Sequence, residues 1–128
     1  MPDKSVAQKL LIKAGRKVLL VNTPKGYKSV LGELPEGTLV LTAPTEPADI
    51  IQVFVANRAE LEAQLPRLKE ALKADGALWV TYHKGTSRTK TDINRDTIAA
   101  YARTLGLQGV AMISVDEDWA ALRLKVLS

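Results

Sequence analysis

The sequence predicts a single α/β domain of three layers, in which helices cover both faces of a mostly parallel sheet that ends in a C-terminal antiparallel hairpin. Three observations lead there. Four short apolar runs, 18–21, 39–41, 50–55 and 77–82, are nearly continuous and rich in branched residues, as strands covered on both faces must be. Leu61, Leu65, Leu68 and Leu72 lie between the third and fourth runs, at the spacing of one helical face. After Gly109, two further runs flank the polar stretch Asp116-Glu117-Asp118, which reads as a hairpin. A length of 128 residues suits one domain, residues 1–128, with its own core, and 46% apolar content is that of a globular protein.

Taken in order, Ser5 to Lys13 predicts a short helix with Val6 and Leu10 facing inward, Leu11 a further candidate, and Gly15 ending it. The first strand then runs into Asn22-Thr23-Pro24-Lys25-Gly26, and a helix begins near Lys25. Between the second and third strands, residues 42–49 contain two prolines and no apolar pattern of helix length, so no crossover helix is expected there. The leucine-spaced helix carries Asn57 and Glu60 as a capping box. Pro66 inside it predicts a kink or a break. Ile98, Tyr101, Ala102 and Leu105 form a second amphipathic helix, with Asp92 or Asn94 at its start and Gly106 at its end. Residues 110–115 open the hairpin. Its second strand sets Leu122, Leu124 and Val126 against Arg123 and Lys125, which predicts one solvated face. Right-handed crossovers complete the layers.

Several chemistries are set aside by composition. Without cysteine there is no disulfide and no thiol nucleophile, and one histidine is too few for a structural zinc site. Asp116, Glu117 and Asp118 lack the spacing of a calcium loop, so no metal is expected. Ser87 lacks the strand-to-helix elbow of a nucleophilic serine, and His83 reads as a strand-end residue without an orienting partner. Trp79 and Trp119 read as packing residues. No apolar run reaches the ~20 residues that span a bilayer, and no signal-like stretch opens the chain, so a cytoplasmic protein without membrane contact is expected. A net charge of +4 favours acidic partners.

Three stretches carry a family likeness. Ile12-Lys13-Ala14-Gly15-Arg16-Lys17-Val18-Leu19, Ala48-Asp49-Ile50-Ile51 and Leu72-Lys73-Ala74-Asp75-Gly76-Ala77-Leu78, together with the closing hairpin, resemble the Rossmann-like (class I) S-adenosylmethionine-dependent methyltransferases. The likeness covers most of the chain and implies a truncated methyltransferase-like topology, with one strand and one helix missing at the edge beside the second strand. More narrowly, the chain resembles a small bacterial family that keeps this fold in shortened form and brings no established activity.

The cofactor motif of the larger class fits poorly. Its acid falls at Leu20, its first glycine at Asn22 and its next at Pro24, leaving only Gly26. Proline, with fixed φ and no N–H, cannot reproduce a glycine there. The second strand ends in Leu41-Thr42-Ala43-Pro44 without a carboxylate for ribose, and Glu46 comes late, between two prolines. The segment Phe54-Val55-Ala56-Asn57-Arg58 lacks the Asn-Pro-Pro-aromatic catalytic signature. No bound cofactor is therefore expected. If S-adenosylmethionine is held, Asn22, Thr23, Gly26 and Asn57 are the residues in place.

The segments that follow the parallel strands are basic. Lys25, Lys28, Lys84, Arg88 and Lys90 are candidates for an anion site at the carboxyl edge of the sheet, where open α/β sheets bind their ligands. As solvated loop cations they would serve solubility alone. No catalytic residue is assigned. The expected function is a non-catalytic methyltransferase-like domain acting through an anionic ligand, a protein partner or a second copy; the alternative is a small methyltransferase with a remodelled cofactor loop.

Overall fold

The computed structural model describes residues 5–85 and 91–127. Its elements run α1 (Val6–Lys9), β1 (Lys17–Val21), α2 (Tyr27–Leu31), β2 (Leu39–Leu41), β3 (Ala48–Phe54), α3 (Arg58–Glu70), β4 (Leu72–His83), α4 (Arg95–Thr104), β5 (Leu107–Ser114) and β6 (Trp119–Val126). The six strands order as β2-β1-β3-β4-β6-β5. The first four are parallel, and β6 pairs antiparallel with both β4 and β5. The mostly parallel α/β sheet with its terminal hairpin thus matches the sequence expectation. β2 and β3 are joined without a helix.

Alternation along the strands sorts the core into two faces. Leu19, Ile51, Val53, Leu78 and Val80 pack with the α3 leucines and with Ile98 and Ala102 of α4. Their neighbours Val18, Ile50, Phe54 and Trp79 pack with Val6, Ala7 and Leu10 from the α1 region and with Tyr27 and Leu31 of α2. Leu61, Leu65 and Leu68 are completely buried. Each is worth about 1.5–3 kcal/mol relative to an exposed position.

Four local expectations need correction. α1 is only four residues long, and Leu11 points outward at 44% exposure. The cause is a turn: Leu11 takes φ +64, the Leu11 N–H donates to Gln8 O and the Ile12 N–H to Ala7 O. That is the double bond pattern of a Schellman cap, with leucine where glycine is usual. Second, Pro66 does not break α3, which runs through it as one helix. The carbonyl it leaves without a helical donor is that of Glu62, and the Tyr101 hydroxyl lies 3.5 Å from it. Third, Leu72 is not on the helix but opens β4, still buried at 8% exposure. Fourth, Glu60 does not close a capping box on Asn57. Its carboxylate accepts from the Ala56 N–H at 2.9 Å, while Asn57 accepts from the Glu60 N–H at 2.9 Å.

Asn94 caps α4 through a reciprocal box with Thr97, and Asp92 instead accepts the Arg58 N–H at 2.8 Å, serving the start of α3. At the other end of the sheet, β4 begins irregularly. Ala48 pairs with Leu72 but Ile50 already pairs with Ala77. Gly76 closes that bulge; a Cβ on it would stand 2.8 Å from the Asp49 carbonyl oxygen and 2.7 Å from the Leu72 side chain. β5 starts earlier than expected, at Leu107, and a register shift between Gly109 and Ala111 bends it. On β6, Lys125 is exposed while Arg123 is half-buried.

Candidate functional site: the carboxyl edge of the parallel strands

The carboxyl ends of β1 and β3 form one edge of the parallel sheet, and the loop Asn22 to Gly26 crosses it. Asn22 takes φ +58 and Gly26 φ +81, both left-handed. Asparagine is the residue other than glycine that enters this region most readily. The Asn22 amide reaches toward the Phe54 carbonyl at 3.5 Å, tying the loop to β3. A Cβ at Gly26 would meet nothing within 4 Å. Asn22, Thr23, Gly26 and Asn57 are all exposed, and Asn57 is engaged as the α3 cap. Leu20, at the acid's place, is half-buried and packs against the α1 and α2 face of the sheet.

Beneath the loop lies a polar chain inside the core. The Tyr27 hydroxyl donates to Gln52 Oε1 at 2.6 Å, and Gln52 Nε2 donates to Thr81 Oγ1 at 3.0 Å. Gln52 and Thr81 are fully buried and Tyr27 nearly so, at 4% exposure. Burial pushes the Tyr27 phenol well above its ordinary value; the Gln52 bond opposes this only in part. This network was absent from the sequence reading. Its signal is a lone glutamine inside Ile50-Ile51-Gln52-Val53-Phe54. From Tyr27 an aromatic tier continues sideways. Its ring meets Phe54 edge-on at 4.6 Å, Phe54 meets Trp119 edge-on at 5.0 Å, and Trp119 stacks on His83 at 3.9 Å. Trp79 donates its ring N–H to the Leu10 carbonyl at 3.1 Å. The tryptophans are thus packed residues. His83 Nδ1 is buried without an acceptor or donor among the described residues, and the ring is held by the stack.

The candidate cations divide between two places. Lys25 and Lys28 are exposed beside the β1 loop. Lys84 is half-buried, donates to Ser114 Oγ at 2.6 Å, and lines a hollow of about 650 Å3 with Tyr82, Arg95, Asp96, Met112 and others. Neither Lys25 nor Lys28 lines that hollow. Arg88 and Lys90 lie outside the described residues. Of the acids, Asp116 accepts the Asp118 N–H at 2.8 Å and the Trp119 N–H at 2.9 Å, so it shapes the hairpin turn. Glu46 has crossed to the opposite edge of the sheet, where it pairs with Lys17 at the start of β1.

An rRNA methylase from Streptococcus thermophilus superimposes with a TM-score of 0.61 at 12% identity, covering 100% of this chain and 99% of its own. The fold is that of the class I S-adenosylmethionine-dependent methyltransferases. Two other methyltransferase-fold matches agree. The ribosomal protein L11 methylase of Lactobacillus delbrueckii subsp. bulgaricus has a TM-score of 0.63 at 13% identity, covering 96% of this chain and 75% of its own. The DhpI–SAH complex has a TM-score of 0.65 at 12% identity, covering 95% and 83%. No protein-family model and no curated protein matches the chain. Identity this low carries the methyltransferase fold and not an activity.

Proposed function

We propose that the chain is a small S-adenosylmethionine-dependent methyltransferase with a remodelled cofactor loop. The observation that carries this reading is the left-handed backbone of Asn22, at the place of the first glycine of the methyltransferase motif. Pro24 stands where the motif's next glycine falls, while Asn22, at the place of the first, takes positive φ without being glycine. Open space at Gly26 leaves room for a ligand to approach the backbone closely. On this reading Asn22, Thr23 and Gly26 hold the cofactor at β1 and Asn57 meets it at β3. Bound there, S-adenosylmethionine would supply an electrophilic methyl group on a sulfonium. The chain's part is then to orient that group and exclude water.

Isothermal calorimetry with S-adenosylmethionine and S-adenosylhomocysteine tests it. A ligand at ~100 times its dissociation constant adds ~2.7 kcal/mol of stability, readable as a rise in melting temperature. Asn22→Gly should keep binding and Asn22→Val should abolish it, because a β-branched residue resists positive φ. No heat and no thermal shift with either ligand ends the proposal.

One observation favours a second reading, the non-catalytic binding domain. Glu46 is drawn to Lys17 at the far edge, leaving no carboxylate after β2 to meet ribose hydroxyls. On that reading Lys25 and Lys28, joined by Lys84, Arg88 and Lys90, attract an anionic ligand without S-adenosylmethionine. Titration with a labelled oligonucleotide and a small polyphosphate at low and moderate salt separates the two readings; silence at low salt removes the second.

A further inference from the structure

A hollow of about 260 Å3 opens at the amino edge of the sheet, the end opposite the Asn22 loop. Its apolar surface includes Ile50 and Ala77, at 5% and 6% exposure, and the outward-turned Leu11. Three cations line it as well: Lys13 and Arg16 from the connection between α1 and β1, and Arg123 from β6.

The electrostatics of this hollow are incomplete. Asp49 carries the burden of three neighbours: it accepts the Lys17 N–H at 2.9 Å and pairs with Lys73 at 3.1 Å and Arg16 at 3.4 Å. Arg123 has no such partner among the described residues, and its Nε is sealed from solvent without an acceptor. Lys13 likewise makes no ion pair there. Asp75, the other acid of the lining, is exposed and bonded to none of the three. A half-buried guanidinium without a counter-charge is unfavourable. Arg123 stands on the same face of β6 as the fully buried Ala121, where an apolar side chain would satisfy the packing. The wall beside it is also set against local preference, since Leu11 occupies the left-handed cap position that glycine takes without penalty.

We propose that this hollow is a binding site for a small oxyanion carried on an apolar body, a phosphate monoester or an organic carboxylate. The oxyanion is met by the Arg123 fork with Lys13 and Arg16, and the apolar body lies on Ile50, Ala77 and Leu11. Guanidinium groups suit such ligands because their planar fork matches two oxygens at once. The volume equals the liquid share of about nine waters, room for a ring with one charged group. The site stands apart from the methyltransferase reading and does not require S-adenosylmethionine.

Calorimetry on the full chain with phenyl phosphate, benzoate, inorganic phosphate and benzyl alcohol tests it. Phenyl phosphate or benzoate should bind saturably and more tightly than inorganic phosphate, and benzyl alcohol should not bind; the tighter of the first two identifies the oxyanion. Arg123→Gln should weaken binding by at least about tenfold. Lys13→Gln, which changes an exposed side chain and leaves the core intact, should weaken it several-fold, and Asp75→Asn should tighten it. The double variant Lys25→Gln, Lys28→Gln should leave the affinity unchanged. The proposal is overturned by an absence of saturable binding, by unchanged affinity in both Arg123→Gln and Lys13→Gln, by inorganic phosphate binding as well as the aromatic anions, or by loss of binding in the Lys25, Lys28 double variant.

Discussion

Gln52 is the residue on which the interior polar chain turns, since it accepts from Tyr27 and donates to Thr81 with no access to water. Removing one partner from such a chain strands the other. Tyr27→Phe leaves Gln52 Oε1 buried without a donor and should cost about 1–3 kcal/mol in urea unfolding. The same tyrosine makes stability depend on alkaline pH. Burial raises its folded value above the ordinary 10.0, so its contribution is whole below pH 10 and is lost as the pH climbs beyond. Tyr82, also raised by burial, adds to that fall. Denaturation midpoints measured from pH 8 upward should therefore decline above about pH 10, and less steeply in Tyr27→Phe. Asp49 has the opposite sign. Burial alone would raise its value, but the Lys17 N–H, Lys73 and Arg16 together hold it below 3.8. Its contribution is present above that value and is lost as the pH falls through the folded one. Asp49→Ala, which orphans the Lys17 N–H, should cost about 1–3 kcal/mol and Asp49→Asn less. A smaller acid dependence of stability in both variants is the check.

At the scale of elements, α3 shows what pattern reading reaches and where it stops. Its existence, its buried leucines and its Asn57 cap follow from spacing alone, because a helical face and a capping side chain are local facts. Its end does not. Leu72 continues the heptad-like rhythm yet belongs to β4, since a leucine looks the same to a helix face and to a strand start. The break expected at Pro66 is absent for a related reason: proline costs a helical hydrogen bond, and the buried Leu65 and Leu68 on either side hold the helix together regardless. Pro66→Ala should accordingly raise stability by about 1–2 kcal/mol, net of the freedom the unfolded chain regains. Thermal unfolding of that variant beside Tyr101→Phe would show whether the 3.5 Å contact with the Glu62 carbonyl matters; a near-neutral Tyr101→Phe is expected. The three separate donors met at the α3 start, by Glu60, Asp92 and Asn57, were legible only as a list of polar residues. Which acceptor serves which N–H depends on tertiary approach, as Asp92 comes from 34 residues away.

For the molecule as a whole, the mostly parallel sheet with its terminal hairpin was within reach because branched apolar runs and crossover helices impose few topologies; the methyltransferase likeness came from three local stretches and the hairpin, and the order of the strands was not fixed by either. The candidate sites were less legible. Asn22, Thr23, Gly26 and Asn57 were named through motif position, yet the proposal turns on the left-handed dihedral of Asn22, which sequence does not state. Arg123 was read as part of a solvated face; its half-burial, in a hollow that it lines with the sequence-distant Leu11 and Asp75, is a tertiary fact. The two sheet edges also differ. β2 has only three residues, whereas β5 has eight and bears no charge, with Val110 and Met112 exposed at 42% and 47%. Uncharged edges invite pairing between copies. Val110→Lys, at the irregular point of β5, should reduce concentration-dependent association in light scattering while changing stability by less than about 0.5 kcal/mol.

The closure of the β4 bulge at Gly76 bears on how this chain can vary. The Asp49 oxygen 2.8 Å from the missing Cβ belongs to the backbone that also presents the Asp49 carboxylate to Lys17, Arg16 and Lys73. Even an added methyl would therefore lever three pairings and the neighbouring Ile50–Ala77 register at once. A library randomised at codon 76 and sorted for folded protein should return hydrogen as the sole tolerated substituent.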